Sequence, residues 1–409
     1  MVLKFIVWFH HGLKTNKMKI LFINHNVEGK GTYWRCFWLA KSLVKMGNKV
    51  TILCLQKKRT IKISKKIIEG INFYYLPRFA NSGAAEFPGH LLRIFLIVFY
   101  SLFGSFKVVH SFNVASPTCG FPVFFLWLFK KISLKKYKIV VDWDDLWGKE
   151  GLTRLNKQGL FAENLAEFLE TKIPPMADAV TVVSDEIKRR AVKAGVDPEK
   201  IIKIINGANV ELIGKYSQKQ AREDLGIDAK EKIICFPGVL TINLPFVLSC
   251  FKKSLQKNPK LKLYLLNLLS KDDEKLILNS GIEKNILVVG FKPYDIYLKY
   301  VAAANVVLLP RSSHILDRCE FPARLGDFMS LGKPIVTNKS GDAWKILEDN
   351  KAGLVANTED EKDFVLKINN LLENTALARK FSQRVVELVK TKYSWDFLSK
   401  DLKNNVYLK

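Results

Sequence analysis

Arg311, Glu320, Arg324 and Asp327 fall within 17 residues. Guanidinium groups grip diphosphate in a bidentate fork, and carboxylates accept hydrogen bonds from sugar or ribose hydroxyls. The set therefore suits a phosphorylated, polyhydroxylated ligand, although the stretch by itself also reads as a salt-bridged, solvated helix start. A second candidate, Glu28-Gly29-Lys30-Gly31-Thr32, follows the apolar run Lys19–Asn24 and opens a helix. Its backbone N–H groups can meet a phosphate with no Cβ in the way; its spacing is neither a dinucleotide fingerprint nor a P-loop, and a plain tight turn fits equally. A third, Asp142-Trp143-Asp144-Asp145-Leu146-Trp147, sets three carboxylates and two indoles after another apolar run. Indole faces stack on sugar rings while carboxylates take hydroxyl hydrogen bonds, which makes Asp144, Asp145 and Trp147 acceptor-binding candidates; an acid-rich helix start is the alternative. No histidine accompanies these acids, so no metal site is read from them.

Each candidate follows an apolar run, and the runs predict the elements that must hold them. From Met18 the order is strand, glycine loop, helix ending at Gly47, and a second strand through Leu55, one βαβ unit and hence a parallel sheet. Further strands are expected at Lys107–His110, Lys138–Asp142, Ala179–Val183 and Ile201–Ile205. A fresh series starts at Lys232 (KIICFPG) and continues through KLYLLN, NILVVGF and NVVLLP to KPIVTN. The fold class is thus α/β, with two Rossmann-like doubly wound domains facing a central cleft, where ligands sit outside the carboxyl ends of the strands. The expected division is an N-terminal extension over 1–17, an acceptor domain over 18–210, a donor domain over 211–392, and a C-terminal helix over 393–409 that packs back toward the first domain. The polar stretch Val210–Glu231 reads as a hinge.

At 409 residues and 48% hydrophobic, the chain has ample core for two domains. Its net charge of +26 attracts polyanions. The lysines are scattered rather than gathered in a stripe or reading helix, which argues against nucleic acid and for an anionic membrane surface. Six widely spaced cysteines with no CxxC pair read as reduced thiols in a cytoplasmic protein. The longest apolar run, Ile94–Phe106, is too short to span a bilayer; Leu91–Phe106 and Phe121–Phe129, each flanked by Lys or Arg, read as buried Rossmann helices or as peripheral membrane contacts. Residues 1–17 lack a cleavage site and read as a frayed extension or an aromatic surface anchor.

The stretch Glu320-Phe321-Pro322-Ala323-Arg324-Leu325-Gly326-Asp327-Phe328-Met329-Ser330-Leu331-Gly332-Lys333-Pro334 resembles the donor-binding signature of family-four glycosyltransferases, the retaining group with the GT-B fold. The opening MKILFIN with its glycine loop, Ala177–Ser184, Asn206-Gly207-Ala208-Asn209 and Tyr393-Ser394-Trp395-Asp396-Phe397 agree with it, so the resemblance runs from about Met18 nearly to the end. It implies transfer from a nucleotide sugar to a glycan or lipid-linked acceptor with retention of configuration, and no cofactor or metal beyond the donor. It also implies that Asp327 holds the ribose, that Arg324 and Arg311 hold the diphosphate together with N–H groups after Gly326, and that Glu320 meets a sugar hydroxyl.

Three departures bear on these roles. The acid expected eight residues before Asp327 is Cys319, with Glu320 one place late. The loop from Gly238 to Pro245 lacks the family's basic pair, for which Lys292 or Arg311 are the substitutes. Of the two histidines that relatives carry after a first-domain strand, only His110 is present, Phe112 filling the second place; His110 reads as catalytic or equally as a core histidine. These departures keep open a catalytically impaired sugar-nucleotide or glycan binding protein. A dinucleotide-dependent oxidoreductase, which two βαβ series also fit, predicts a Gly-x-Gly-x-x-Gly after the first strand, and the sequence has no such set.

Overall fold

The computed structural model describes residues 17–80, 84–132, 136–238 and 240–409. The expected N-terminal extension thus lies outside the described residues except for Lys17. The first domain holds β1 (Lys19–Val27), β2 (Lys49–Leu55), β3 (Ser64–Ile68), β4 (Ile71–Leu76), β5 (Val108–Phe112), β6 (Lys138–Trp143), β7 (Ala179–Val182) and β8 (Ile201–Lys203). They form one sheet in the order β3-β4-β2-β1-β5-β6-β7-β8, parallel except for the β3/β4 hairpin. The second domain holds β9 (Ile233–Phe236), β10 (Lys262–Leu265), β11 (Ile286–Val288), β12 (Val306–Leu309), β13 (Ile335–Asn338) and β14 (Leu354–Ala356), all parallel, in the order β11-β10-β9-β12-β13-β14.

The central strands are mostly apolar because both faces of each sheet are covered, His110, Ser111 and Asp142 being buried exceptions. In β1, Ile20 and Phe22 point to one core while Leu21 and Ile23 point to the other, and all four are fully buried. Helix Tyr33–Lys45 and the last helix, Trp395–Leu402, cover the Ile20 side, where Asp396 accepts from Ser42 Oγ at 2.5 Å. Helices Phe87–Phe103, Pro117–Ile132 and Leu160–Lys172 cover the Leu21 side.

Strands β3, β4 and β14 were not among those expected, and the stretch between the domains also differs. Val210–Glu231 is not a bare hinge: it contains helix Gln218–Leu225, started by Ser217, whose Oγ accepts from the Gln220 N–H, and stopped by Gly226 at φ 67°. Arg222 ties that helix to the second domain by donating to the carbonyls of Ala303 and Ala229 at 3.0 and 2.6 Å. The crossing between domains is made instead by two short segments around Ala208 and Ser394. They hydrogen-bond to each other, Ala208 N–H to Tyr393 O at 2.8 Å and Trp395 N–H to Ala208 O at 3.0 Å. Among the described residues no helix is long and apolar enough to cross a membrane, and all six cysteines are buried free thiols.

Candidate active site

The carboxyl ends of β1, β5 and β6 are neighbours in the first sheet. β1 runs three residues beyond the expected strand and so carries His25 and Asn26 to its tip. At the end of β5, Asn113 adopts φ 60°, a left-handed conformation that Asn tolerates, and its Nδ2 lies 3.5 Å from His25 Nε2. The His25 ring meets the Trp147 indole edge-on, centroids 6.0 Å apart. Burial lowers the His25 pKa to about 4, so the ring is neutral.

After β6, the Asp144 carboxylate accepts from Thr32 Oγ1 at 2.8 Å through one oxygen. Its other oxygen, Asn26 Oδ1 and Trp147 Nε1 are buried without a hydrogen-bond partner among the described residues, while His25 bonds to the backbone of Phe112. An unmade buried hydrogen bond costs ~1–3 kcal/mol, so three such atoms gathered beside the strand tips suit a polar ligand. Burial, then the charge of Asp142, raises Asp144 to about 6. Burial and the charges of Asp144 and Glu320 push Asp145 well above the carboxylate range. Glu170 clamps this loop, accepting from the N–H groups of Trp147 and Gly148 at 2.8 and 2.7 Å.

The glycine loop lies beside the same tips. Gly29 and Gly31 have φ 81° and 53°, and a Cβ on Gly31 would come within 3.0 Å of the Asn26 side chain. Lys30 is exposed, and Trp34 Nε1 donates to Gly29 O at 3.1 Å.

The second domain supplies the facing wall. Arg311, directly beyond β12, donates from Nη1 to Glu320 at 3.0 Å and from Nη2 to Asp317 O at 2.5 Å, and its Nη1 lies 3.3 Å from the Asp317 carboxylate. Glu320 remains partly exposed, its charge reaching Asp145 across the cleft. Asp327 accepts from Tyr294 OH at 2.6 Å. Burial raises Asp327 to about 6, against the pull of that hydrogen bond and of the Arg324 charge. Arg324 itself has no hydrogen-bonding or ion-pair partner among the described residues, nor has Lys292, exposed in the loop after β11. Trp34 of the first domain stacks on Tyr294 with centroids 5.7 Å apart, closing the wall over Asp327.

The structure thus gathers Asp144, Asp145 and Trp147 opposite Glu320, with Arg324 and Asp327 alongside on the second domain. Four expected residues turn out otherwise. His110 is a core histidine: fully buried, with Nδ1 2.7 Å from Tyr407 OH and Nε2 3.3 Å from Thr181 Oγ1, its pKa lowered by burial to about 3. Arg311 is occupied by Asp317 and Glu320, so it braces Glu320 rather than offering itself to a diphosphate. Gly326 spends its N–H on Ala323 O at 3.1 Å, and a Cβ there would lie 2.3 Å from Gly207 O; it permits the close approach of the domains. At Gly238 a Cβ would lie 2.0 Å from the buried Phe236 ring, which accounts for that glycine without a ligand. Four site residues, His25, Asn26, Asn113 and Tyr294, had no motif to announce them; the only signal was their place at or just beyond apolar runs. Among the described residues no three His, Cys, Asp or Glu side chains are arranged to hold a metal ion, and Asp142 turns inward to a bidentate pair with Arg35 at 2.8 and 2.9 Å.

Comparison with known proteins bears on the family and the fold. Residues 34–212 match the family described as Glycosyltransferase Family 4, and residues 217–387 match that described as Glycosyl transferases group 1. No curated protein matches the sequence. Among solved structures, the chain is similar to a sucrose-phosphate synthase from Thermosynechococcus elongatus, with a TM-score of 0.70 at 15% identity over 94% of this chain and 97% of that one. It is similar to Anabaena HepE in complex with UDP-glucose, at TM-score 0.69 and 15% identity over 96% and 100% of the two chains. A glycosyltransferase from Rickettsia africae gives 0.66 at 17% identity over 96% and 99%.

Proposed function

The chain belongs to the family-four-like glycosyltransferases of GT-B fold, and from that premise we propose that it moves a sugar from a nucleotide-sugar donor to a glycan or lipid-linked acceptor, with retention of configuration and without a bound metal. The observation that carries this reading is the set of unpartnered polar atoms on Asn26, Asp144 and Trp147, next to Asp145, whose carboxyl feels the charge of Glu320 across the cleft, with Arg324 acting on Asp327 in the second domain. Asp144, Asp145 and Trp147 would receive acceptor hydroxyls and a sugar face, Glu320 a donor-sugar hydroxyl, and Asp327 the ribose. Negative charge develops on the leaving diphosphate, and Arg324 with Lys292 and the N–H groups of the Gly29–Gly31 loop would stabilise it there, where preorganised donors act most strongly. No carboxylate is assigned as a nucleophile, so the reading has no glycosyl-enzyme intermediate.

The donors bound by HepE and by other similar structures, UDP-glucose among them, are the first to try. A thermal-shift screen of nucleotide sugars should find one that stabilises the chain, by about 2.7 kcal/mol at 100 times its dissociation constant. The anomeric proton of the product, read by NMR, should keep the donor's configuration, and turnover should survive excess EDTA. No shift with any nucleotide sugar, or an inverted product, would overturn the corresponding part of the reading. On this reading the protein works in the cytoplasm, peripherally on the cytoplasmic membrane face.

A further inference from the structure

Helix Phe87–Phe103 is built inside out. Its buried stripe is Gly89, Arg93, Ile97 and Ser101, with Arg93 paired to Glu86 at 2.6 Å and Ser101 donating to Ile97 O. Its outward stripe is Phe87, Leu91, Phe95 and Phe99, between 48% and 64% exposed. A helix that faces water carries the opposite pattern, apolar inward and polar outward. The adjoining helix, Pro117–Ile132, continues the surface with Phe129 and Ile132, 37% and 72% exposed. Helix Leu160–Lys172 packs beside it and adds Leu160 and Phe161 at 77% and 81%.

The charge along the first two of these helices is one-sided, whereas the third carries Glu163 and Glu167. Between Glu86 and Asp142 the sequence has no acidic residue and seven basic ones. Lys107, Lys131 and Lys136 are exposed where the two apolar helices end, with the Lys131 ammonium 4.2 Å above the Trp127 ring.

We infer that the outward face of helices Phe87–Phe103, Pro117–Ile132 and Leu160–Lys172 docks on an anionic lipid bilayer, its aromatic side chains entering the interface and its lysines pairing with headgroups. A second copy of the chain would bring two basic rims together, whereas an anionic leaflet complements them. The Phe87 end follows the loop beyond the carboxyl end of β4, the side of the sheet on which the cleft opens, so docking brings the cleft toward the lipid surface. This deepens the transferase reading by choosing a membrane-borne acceptor over a soluble one.

The test is co-sedimentation of the full chain with phosphatidylcholine vesicles, with and without phosphatidylglycerol, at low and high salt. Binding should need the anionic lipid and be only partly reversed by salt. Phe95→Ser with Phe99→Ser should cut binding about tenfold, Lys131→Glu with Lys136→Glu should abolish the anionic preference, and Phe397→Ser, half exposed on the last helix, should change nothing. Unaltered melting temperatures confirm that the variants fold. Equal binding of the Phe95/Phe99 variant and the unaltered chain overturns the proposal, as does a wild-type dimer that the same variant dissociates in the absence of vesicle binding. A nucleotide-sugar thermal shift measured without vesicles keeps failure of this proposal separate from failure of the transferase reading.

Discussion

At the scale of single residues, Arg324 and Asp327 carry the sharpest expectations. Arg324→Ala removes a guanidinium that makes no hydrogen bond or ion pair among the described residues, so the fold should survive while donor binding and turnover weaken by roughly 1.5–3 kcal/mol, the worth of a charge-assisted hydrogen bond. Isothermal titration with the nucleotide sugar and a melting curve decide it; unchanged affinity refutes the role. Asp327 adds a pH dependence. Its carboxyl, raised to about 6, is ionised and accepts ribose hydroxyls above that pH and is protonated below it. A diphosphate sugar has no ionisation of its own in this range, so donor affinity should be full near neutrality and fall as pH drops below about 6, approaching tenfold per unit. Asp327→Asn should flatten that profile, and an acid limb that persists in the variant would assign it elsewhere. Arg324 and Asp327 were legible because they sit in a motif. His25 and Asn113 were not, because their place depends on which strand tips lie side by side, a property of sheet order rather than of any local run.

At the scale of elements, most strands legible as apolar runs are buried, β11 being a half-exposed exception, and three strands, β3, β4 and β14, were not expected. β3 was not, since every residue from Ser64 to Lys66 and on to Ile67 is exposed, and an edge strand leaves no apolar signature. Helix Phe87–Phe103 was legible as apolar but not in its orientation: only packing shows that Gly89 and Ser101 turn inward while Phe95 turns outward. The same limit applies to Gly326, which sits in the donor motif yet is required by the carbonyl of Gly207, 119 positions earlier in the chain and close only because the two domains meet there. A motif thus identifies a segment, while the contacts of that segment divide its residues between ligand and scaffold.

At the scale of the whole molecule, the cleft is closed by contacts that are individually weak. Ser184 donates to Cys319 O at 2.6 Å, Asn206 to Phe321 O at 2.7 Å, and Arg318 pairs with Glu186 at 2.6 Å. Asp342 is central to a second group: it accepts from the Asp185 N–H at 2.8 Å and pairs with Lys203 and Lys345, each at 3.1 Å. Its side chain makes no cap bond to its own helix, Ala343–Asp349, and is instead directed to the first N–H of helix Asp185–Lys193 in the other domain, the end where an anion is favoured. Ion pairs with an exposed partner contribute ~0–1 kcal/mol each, so these polar contacts add a modest increment to the apolar ones, Leu316 and Cys319 against the first-domain core and Val183 against the second. Asp342→Ala removes the bond across the cleft while leaving both sheets and the residues of the cleft wall intact. Small-angle scattering should show a larger radius of gyration than the unaltered chain, with the difference shrinking when the nucleotide sugar is added. High salt should expand the unaltered chain in the same direction, because these pairs are screened. Superimposable scattering from the two proteins would show that the remaining contacts, with the stack of Trp34 on Tyr294, hold the domains shut without Asp342.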